Sequence, residues 1–145
     1  MKTHIVAALG LLALATPALA DGDATKGEQV FNKCKACHSI IKPDGTPVVK
    51  GGMVGPNLYG VIGRAAASGM AANGKPFNYG TGLQAMGKDG VVWTQALVAE
   101  YVKNPTAFVH EKTGDNSLRS NMSFMLAQGG EDVAAYLASV APASN

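Results

Sequence analysis

The sequence predicts an all-α domain of short helices and long loops, wrapped around something that is not protein. Three observations lead there. The chain has 145 residues, 47% of them hydrophobic and 15% charged, which suits one modest folded domain. Eighteen glycines and seven prolines, with no period of three, cut it into short segments and exclude a collagen-like chain. One tryptophan, four tyrosines and four phenylalanines leave a helical domain of this size with a thin core unless a ligand fills it. No block of like charges occurs, and a formal charge of +2 is too small for a polyanion binder, so nucleic acid is not an expected partner.

Residues 1–20 are read as an export signal. Met1-Lys2-Thr3-His4 gives a basic start, and an unbroken run of apolar residues and glycine follows from Ile5 to Ala15. Thr16-Pro17 breaks the run, and Ala18-Leu19-Ala20 presents the small-x-small pattern cut by signal peptidase. The run is shorter than the roughly 20 apolar residues that span a bilayer. Cleavage before Asp21 leaves residues 21–145 as a single soluble domain in the periplasm. Eleven basic residues then face ten acidic ones, for a net charge of +1.

Asp23 or Thr25 caps the first helix, and Thr25-Lys26-Gly27-Glu28 has capping-box spacing. Gly27, Val30, Phe31 and Cys34 fall on one helical face. Gly27 costs a helix roughly 1 kcal/mol relative to alanine, so close packing there is the expected compensation.

The chemistry sits directly after this helix, in Cys34-Lys35-Ala36-Cys37-His38. An exported chain with two cysteines ordinarily holds one disulfide, but this spacing is the attachment pattern for a c-type haem. Two thiols three positions apart can add to the two vinyl groups on one porphyrin edge, and the next residue presents an imidazole to the iron. A dithiol redox motif needs a strand–helix context. A zinc site needs about four ligands, and Cys34, Cys37, His38 and His110 supply just that number after processing. The export signal, the position of the motif and the available sixth ligands favour haem, which also supplies the missing core.

From Ser39 to Gly90 glycine, proline and asparagine are frequent and periodicity is weak, which predicts loops with one short helix near Leu83–Lys88. Thr94 is the expected N-cap of a firm helix, with Trp93 and Val98 as a hydrophobic staple. Leu97, Val98, Tyr101 and Val102 form its inner stripe, and Asn104-Pro105 stops it. A short helical turn runs from Pro105 to Gly114. The last helix runs from about Glu131 to Val140, with Glu131 and Asp132 in its positive first turn. Val133, Tyr136, Leu137 and Val140 face inward, and Pro142 ends it.

A second strong protein ligand makes such an iron an electron carrier, whereas an open position makes it bind small molecules. Met53, Met70, Met86, Met122, Met125 and His110 are the candidates. Met122 lies in the aperiodic Leu118–Phe124 loop between the last two helices, where the chain can cross the face opposite His38. His110 is expected to face solvent, and a bis-histidine iron stays open from the residues alone.

The motifs together resemble one family. Lys26-Gly27-Glu28, Phe31-Asn32-Lys33-Cys34-Lys35-Ala36-Cys37-His38-Ser39-Ile40 and Gly55-Pro56-Asn57-Leu58-Tyr59-Gly60-Val61-Ile62-Gly63-Arg64 are similar to segments of bacterial cytochrome c2 and its relative cytochrome c550. Phe77-Asn78-Tyr79-Gly80, Trp93, Tyr101, Asn104-Pro105, Met122-Ser123-Phe124 and Gly129 to Leu137 continue the match in order. The resemblance implies the cytochrome c fold, one covalent haem c on Cys34 and Cys37, and axial ligation by His38 and Met122. It implies that the Pro56 carbonyl holds the His38 ring, and that Arg64, Tyr79 and Trp93 hydrogen-bond a buried haem propionate. Tyr101 would stand behind the methionine sulfur, and Phe124 along the haem edge. Gly27, Phe31, Tyr136 and Leu137 would form the crossing of the first and last helices.

The implied function is that of a non-enzymatic, monomeric carrier of one electron. It would run from a cytochrome bc1 complex to a photosynthetic reaction centre or terminal oxidase. Family members commonly ring the haem edge with lysines that steer them to acidic partners. Here Asn121, Met125 and Gln128 stand at such positions, while Lys33, Lys35, Lys42, Lys50, Lys103 and Lys112 remain. That depletion favours a different partner, such as one dedicated dehydrogenase, or a more apolar docking patch. A peroxidase or gas-binding role would need a distal histidine or arginine over open iron, and no such pair is evident.

Overall fold

Asp23 opens the first helix, α1 (Ala24–Phe31), from extended backbone. Its carboxylate accepts hydrogen bonds from the Thr25 and Lys26 N–H groups at 2.9 and 3.2 Å. Thr25 therefore lies inside the helix and does not cap it, because Asp23 already satisfies the free N–H groups of the first turn. The structure is a computed structural model and describes residues 22–141. The export signal at 1–20, its cleavage before Asp21 and the stop at Pro142 lie outside the described residues.

The expectation of loops through residues 39–90 needs one correction. Two very short strands, β1 (Ile40–Ile41) and β2 (Pro47–Val49), pair antiparallel with Ile40 opposite Val49 and Ile41 opposite Pro47. The Asn57 side chain completes this ladder. Its Oδ1 accepts from Ile41 N–H at 2.9 Å and its Nδ2 donates to the Ile41 carbonyl at 2.8 Å. A side-chain amide thus mimics a third strand, and it ties the hairpin to the loop that follows.

Three helices come next: α2 (Thr81–Lys88), α3 (Gln95–Lys103) and α4 (Pro105–Thr113). Thr94 caps α3 as expected, accepting from Leu97 N–H at 3.2 Å, and Trp93 and Val98 of the expected staple are both buried. Asn104 ends α3 and caps α4, where Pro105 takes the first turn at no hydrogen-bond cost. Gly114 closes α4 in the left-handed region. Trp93, Tyr101 and Phe108 form one aromatic cluster with ring centroids 5.1–6.0 Å apart.

The last helix, α5 (Gly130–Val140), crosses α1 on one side and packs on α3 on the other. The crossing depends on Gly27, where a Cβ would overlap the Asp132 carbonyl oxygen and come within 2.8 Å of the Tyr136 Cβ. Phe31 packs on Tyr136 with centroids 5.6 Å apart, and the Asp23 N–H reaches across to Asp132 Oδ1 at 2.8 Å. Phe31, Tyr136 and Leu137 are buried, as the resemblance implied. The outcome is the expected all-α, loop-rich shell with one small hairpin added. No helix among the described residues is long and apolar enough to cross a membrane.

Candidate functional site

The attachment segment leaves α1 in a tight turn, with Cys37 N–H and His38 N–H both donating to the Cys34 carbonyl. That turn puts Cys34 half-buried, Cys37 exposed and His38 half-buried on one stretch of chain. Both cysteines are free thiols. Burial pushes the Cys34 thiol up to about 11, with Cys37 adding to the rise and Lys33 opposing it. A thiol held in its neutral form is a poor redox nucleophile. No cluster of three or more histidine, cysteine or acidic side chains able to hold a metal ion occurs among the described residues. The zinc alternative falls with that observation.

Loop 51–58 folds back over the attachment segment and fixes the imidazole. Gly52 N–H donates to the Lys35 carbonyl, Gly55 N–H to the Cys37 carbonyl and Leu58 N–H to the Ser39 carbonyl, each at 2.9–3.0 Å. Gly55 is buried flat against the His38 ring, so closely that a Cβ would overlap it. His38 Nδ1 donates to the Pro56 carbonyl at 2.8 Å, which commits that nitrogen and leaves Nε2 with its lone pair. Burial lowers the His38 pKa and the Pro56 bond opposes this, so the neutral, metal-binding form is favoured.

Arg64 and Tyr79 meet at one place in the fold. A Cβ on Gly69 would meet the Tyr79 hydroxyl and the Arg64 guanidinium at once, so both lie against one glycine. Trp93 is tied to Arg64 through the main chain, its N–H donating to the Arg64 carbonyl at 2.9 Å, while its ring packs on Tyr101 and Phe108. Arg64 donates to the carbonyls of Tyr59 and Asn57 at 3.2 and 3.1 Å, and forms no ion pair among the described residues. Burial depresses the Arg64 pKa and raises that of Tyr79, and each group's field partly offsets the other's shift. A half-buried guanidinium beside a phenol suits a carboxylate brought by a ligand.

The five candidate methionines separate by burial. Met53, Met125 and Met70 are 66, 59 and 42% exposed, and Met86 is sealed in the core. Met122 is half-buried and packed against the core, with its N–H donating to Ser120 Oγ at 3.1 Å. The Tyr101 hydroxyl lies 2.6 Å from the same Oγ, so Tyr101 supports the Met122 segment through Ser120. Ser120 was not singled out in the sequence; a serine two residues before Met122 is its only signal. His110 departs from expectation. It is half-buried, and its Nε2 donates to the Leu118 carbonyl at 2.7 Å, so it faces the protein and not solvent. Phe124 is 43% exposed.

These residues fit a covalent haem. Two free thiols adjoin an imidazole with one nitrogen in reserve, and a glycine has given up its side chain to the ring. A cation and a phenol wait together for a carboxylate. Fold and attachment motif together define a class I c-type cytochrome.

No family profile matches the chain. It is 54% identical over 141 residues to cytochrome c2 of Rhodobacter capsulatus, covering 97% of this chain and 98% of that one. It is 48% identical over 145 residues to cytochrome c-550 of Paracoccus versutus, covering 98% and 91%. Among solved structures, that of Rhodobacter capsulatus cytochrome c2 is 56% identical with a TM-score of 0.76, over 82% of this chain and 98% of that one. The cytochrome c2 structure from Paracoccus denitrificans is 44% identical with a TM-score of 0.78, over 84% and 98%. The chain belongs to the cytochrome c2/c-550 family, whose members carry electrons on one covalently attached haem c and are not enzymes.

Proposed function

We propose that this chain is exported, loses residues 1–20, and works in the periplasm as a soluble, monomeric one-electron carrier with His38 and Met122 as axial ligands. What supports the reading is an imidazole fixed by Pro56 together with Met122, the one half-buried methionine among the described residues, on a hydrogen-bonded loop. The haem, thioether-linked to Cys34 and Cys37, supplies a metal that accepts or gives up one electron.

The chain's own residues do the rest. Pro56 holds the His38 tautomer and orients the ring, Gly55 permits the close approach, and Arg64, Tyr79 and Trp93 receive a propionate. Met122 offers a soft thioether, which favours the reduced metal. Exposed Cys37 and Phe124 mark the edge where electrons pass. The donor is a cytochrome bc1 complex and the acceptor a photosynthetic reaction centre or terminal oxidase, as for the family it resembles.

One observation favours a second partner assignment. Lys103 pairs with Glu131 at 2.8 Å, and Lys112 with Glu111 at 2.8 Å and Glu100 at 3.8 Å, so two of the six lysines named above are already paired. Asn121, Met125 and Gln128 of the Met122 loop are exposed and uncharged. A carrier with so little free positive charge suits a dedicated periplasmic dehydrogenase; faster reduction by such an enzyme than by a bc1 complex would establish it.

The test of the ligand set is Met122→Ala. Axial ligands span roughly 0.8 V of haem potential, and loss of the thioether is expected to lower the potential by on the order of 0.2 V. The ferrous variant should also bind carbon monoxide, and the unmodified protein should not. An unchanged potential without gas binding would assign the sixth position to another residue.

A further inference from the structure

Helix α4 carries an unusual face. Thr106, His110 and Thr113 stand at i, i+4 and i+7, a single stripe of the helix surface. Such a stripe ordinarily faces water, yet each of these side chains is at least half-buried and bonded to backbone. Thr106 Oγ1 accepts from Ser120 N–H at 3.3 Å. His110 Nε2 donates to the Leu118 carbonyl at 2.7 Å. Thr113 Oγ1 accepts from Asp115 N–H at 3.2 Å while donating to the Val109 carbonyl at 2.7 Å. The chain from 115 to 120 therefore runs back along α4, and the stripe is its rail. On the other side Gly82 of α2 is pressed against the Arg119 carbonyl, closely enough that a Cβ there would overlap it. Met122 follows at once, held by Ser120 Oγ.

We propose that His110, with Thr106, is a positioning residue for the sixth ligand: it pins the backbone that presents Met122 and so limits how often that side chain leaves its place. The inference rests on Met122 being the ligand, as proposed above. His110 is the central peg because its bond is the shorter of the two and reaches the carbonyl of Leu118, the first residue of the Met122 loop. Its action passes entirely through the main chain of residues 118–120. The role needs only an N–H donor at this distance, so glutamine can replace the imidazole and alanine cannot.

The test uses the haem-loaded protein and the variants His110→Ala, His110→Gln and Thr106→Val, with two readouts. One is amide hydrogen exchange at Ser120 and Met122, which reports the loop whichever side chain holds the metal. The other is the affinity of the ferric protein for added imidazole, which must displace the sixth ligand. Losing one ordinary intramolecular hydrogen bond predicts that His110→Ala raises both roughly three- to tenfold. His110→Gln should restore them, and Thr106→Val should raise exchange at Ser120 above all. Unchanged exchange in His110→Ala overturns the tether. Faster exchange with unchanged imidazole affinity overturns the positioning role. Failure of the underlying ligand assignment is read separately, as an imidazole affinity that Met122→Ala leaves unaltered.

Discussion

Gly27 shows how one missing methyl group sets a helix crossing. Alanine in its place gains roughly 1 kcal/mol of helix propensity. The new Cβ meets a main-chain carbonyl on α5, which cannot swing aside as a flexible side chain would. Overpacking of this kind costs about 1–3 kcal/mol, and more where backbone must move. The overlap wins, and Gly27→Ala is expected to destabilise the folded protein by roughly 2 kcal/mol, read as a lower denaturant midpoint with an unchanged slope. Gly55 is the same device turned on the site itself, where the neighbour is the His38 ring. The sequence indicated Gly27 because a glycine on the apolar face of a helix is costly without a packing reason. Gly55 was visible only beside Pro56, since nothing local says which ring a loop glycine will touch.

At the scale of elements, α1 depends on the Asp23 cap. The carboxylate pKa lies below its ordinary value, chiefly through the Lys26 N–H bond, so the group binds its proton more weakly folded than unfolded. Its contribution is therefore complete above the unfolded carboxylate range and disappears as pH falls through the folded value. Asparagine keeps a capping oxygen and does not titrate. Asp23→Asn is thus expected to melt below the wild type near neutral pH, with the gap closing as pH falls through the lowered carboxylate value.

Helix ends were the most legible part of the fold, because Thr94, Asn104-Pro105 and Gly114 act within one turn of themselves. The hairpin was not legible: strands of two and three residues leave no alternation to detect, and a side chain of Asn57 supplies part of their pairing. His110 was misjudged for a clearer reason. A polar stripe on a helix looks the same in sequence whether it faces water or the backbone of a packed loop, and only the tertiary fold distinguishes them. Cys34, Cys37 and His38 carry their chemistry in five consecutive residues. Arg64, Tyr79 and Trp93 were known only through resemblance, since what unites them is a shared glycine and a backbone pair far apart along the chain.

For the whole molecule, the distribution of charge decides how it meets a partner. Lys33, Lys35, Lys42 and Lys50 remain exposed on the attachment side, while the Met122 loop carries Met125 at 59% exposure and Phe124 at 43%. Met53 and Val54 are 66 and 80% exposed beside Gly55. Apolar contact is not screened by salt, whereas steering by charge is. Strongly steered encounters lose up to about 10³ in rate as ionic strength rises. Bimolecular electron transfer by this protein is expected to slow by less than about tenfold between low and physiological salt. Stopped-flow rates with an isolated redox partner at several salt concentrations would measure it, and a steep decline would mean that the few free lysines suffice.

The contact between the Asp23 N–H and Asp132 Oδ1 joins residues 109 positions apart. Its neighbours, Gly27 against Asp132 and Phe31 against Tyr136, span almost as much of the chain. Helix α1 must therefore wait for α5 before its buried face has anything to meet. Contacts of such sequence separation form late and reward the chain only after the loop between them has closed. Until α5 is in place, the attachment segment that follows α1 hangs from an unanchored helix, with its thiols open to solvent.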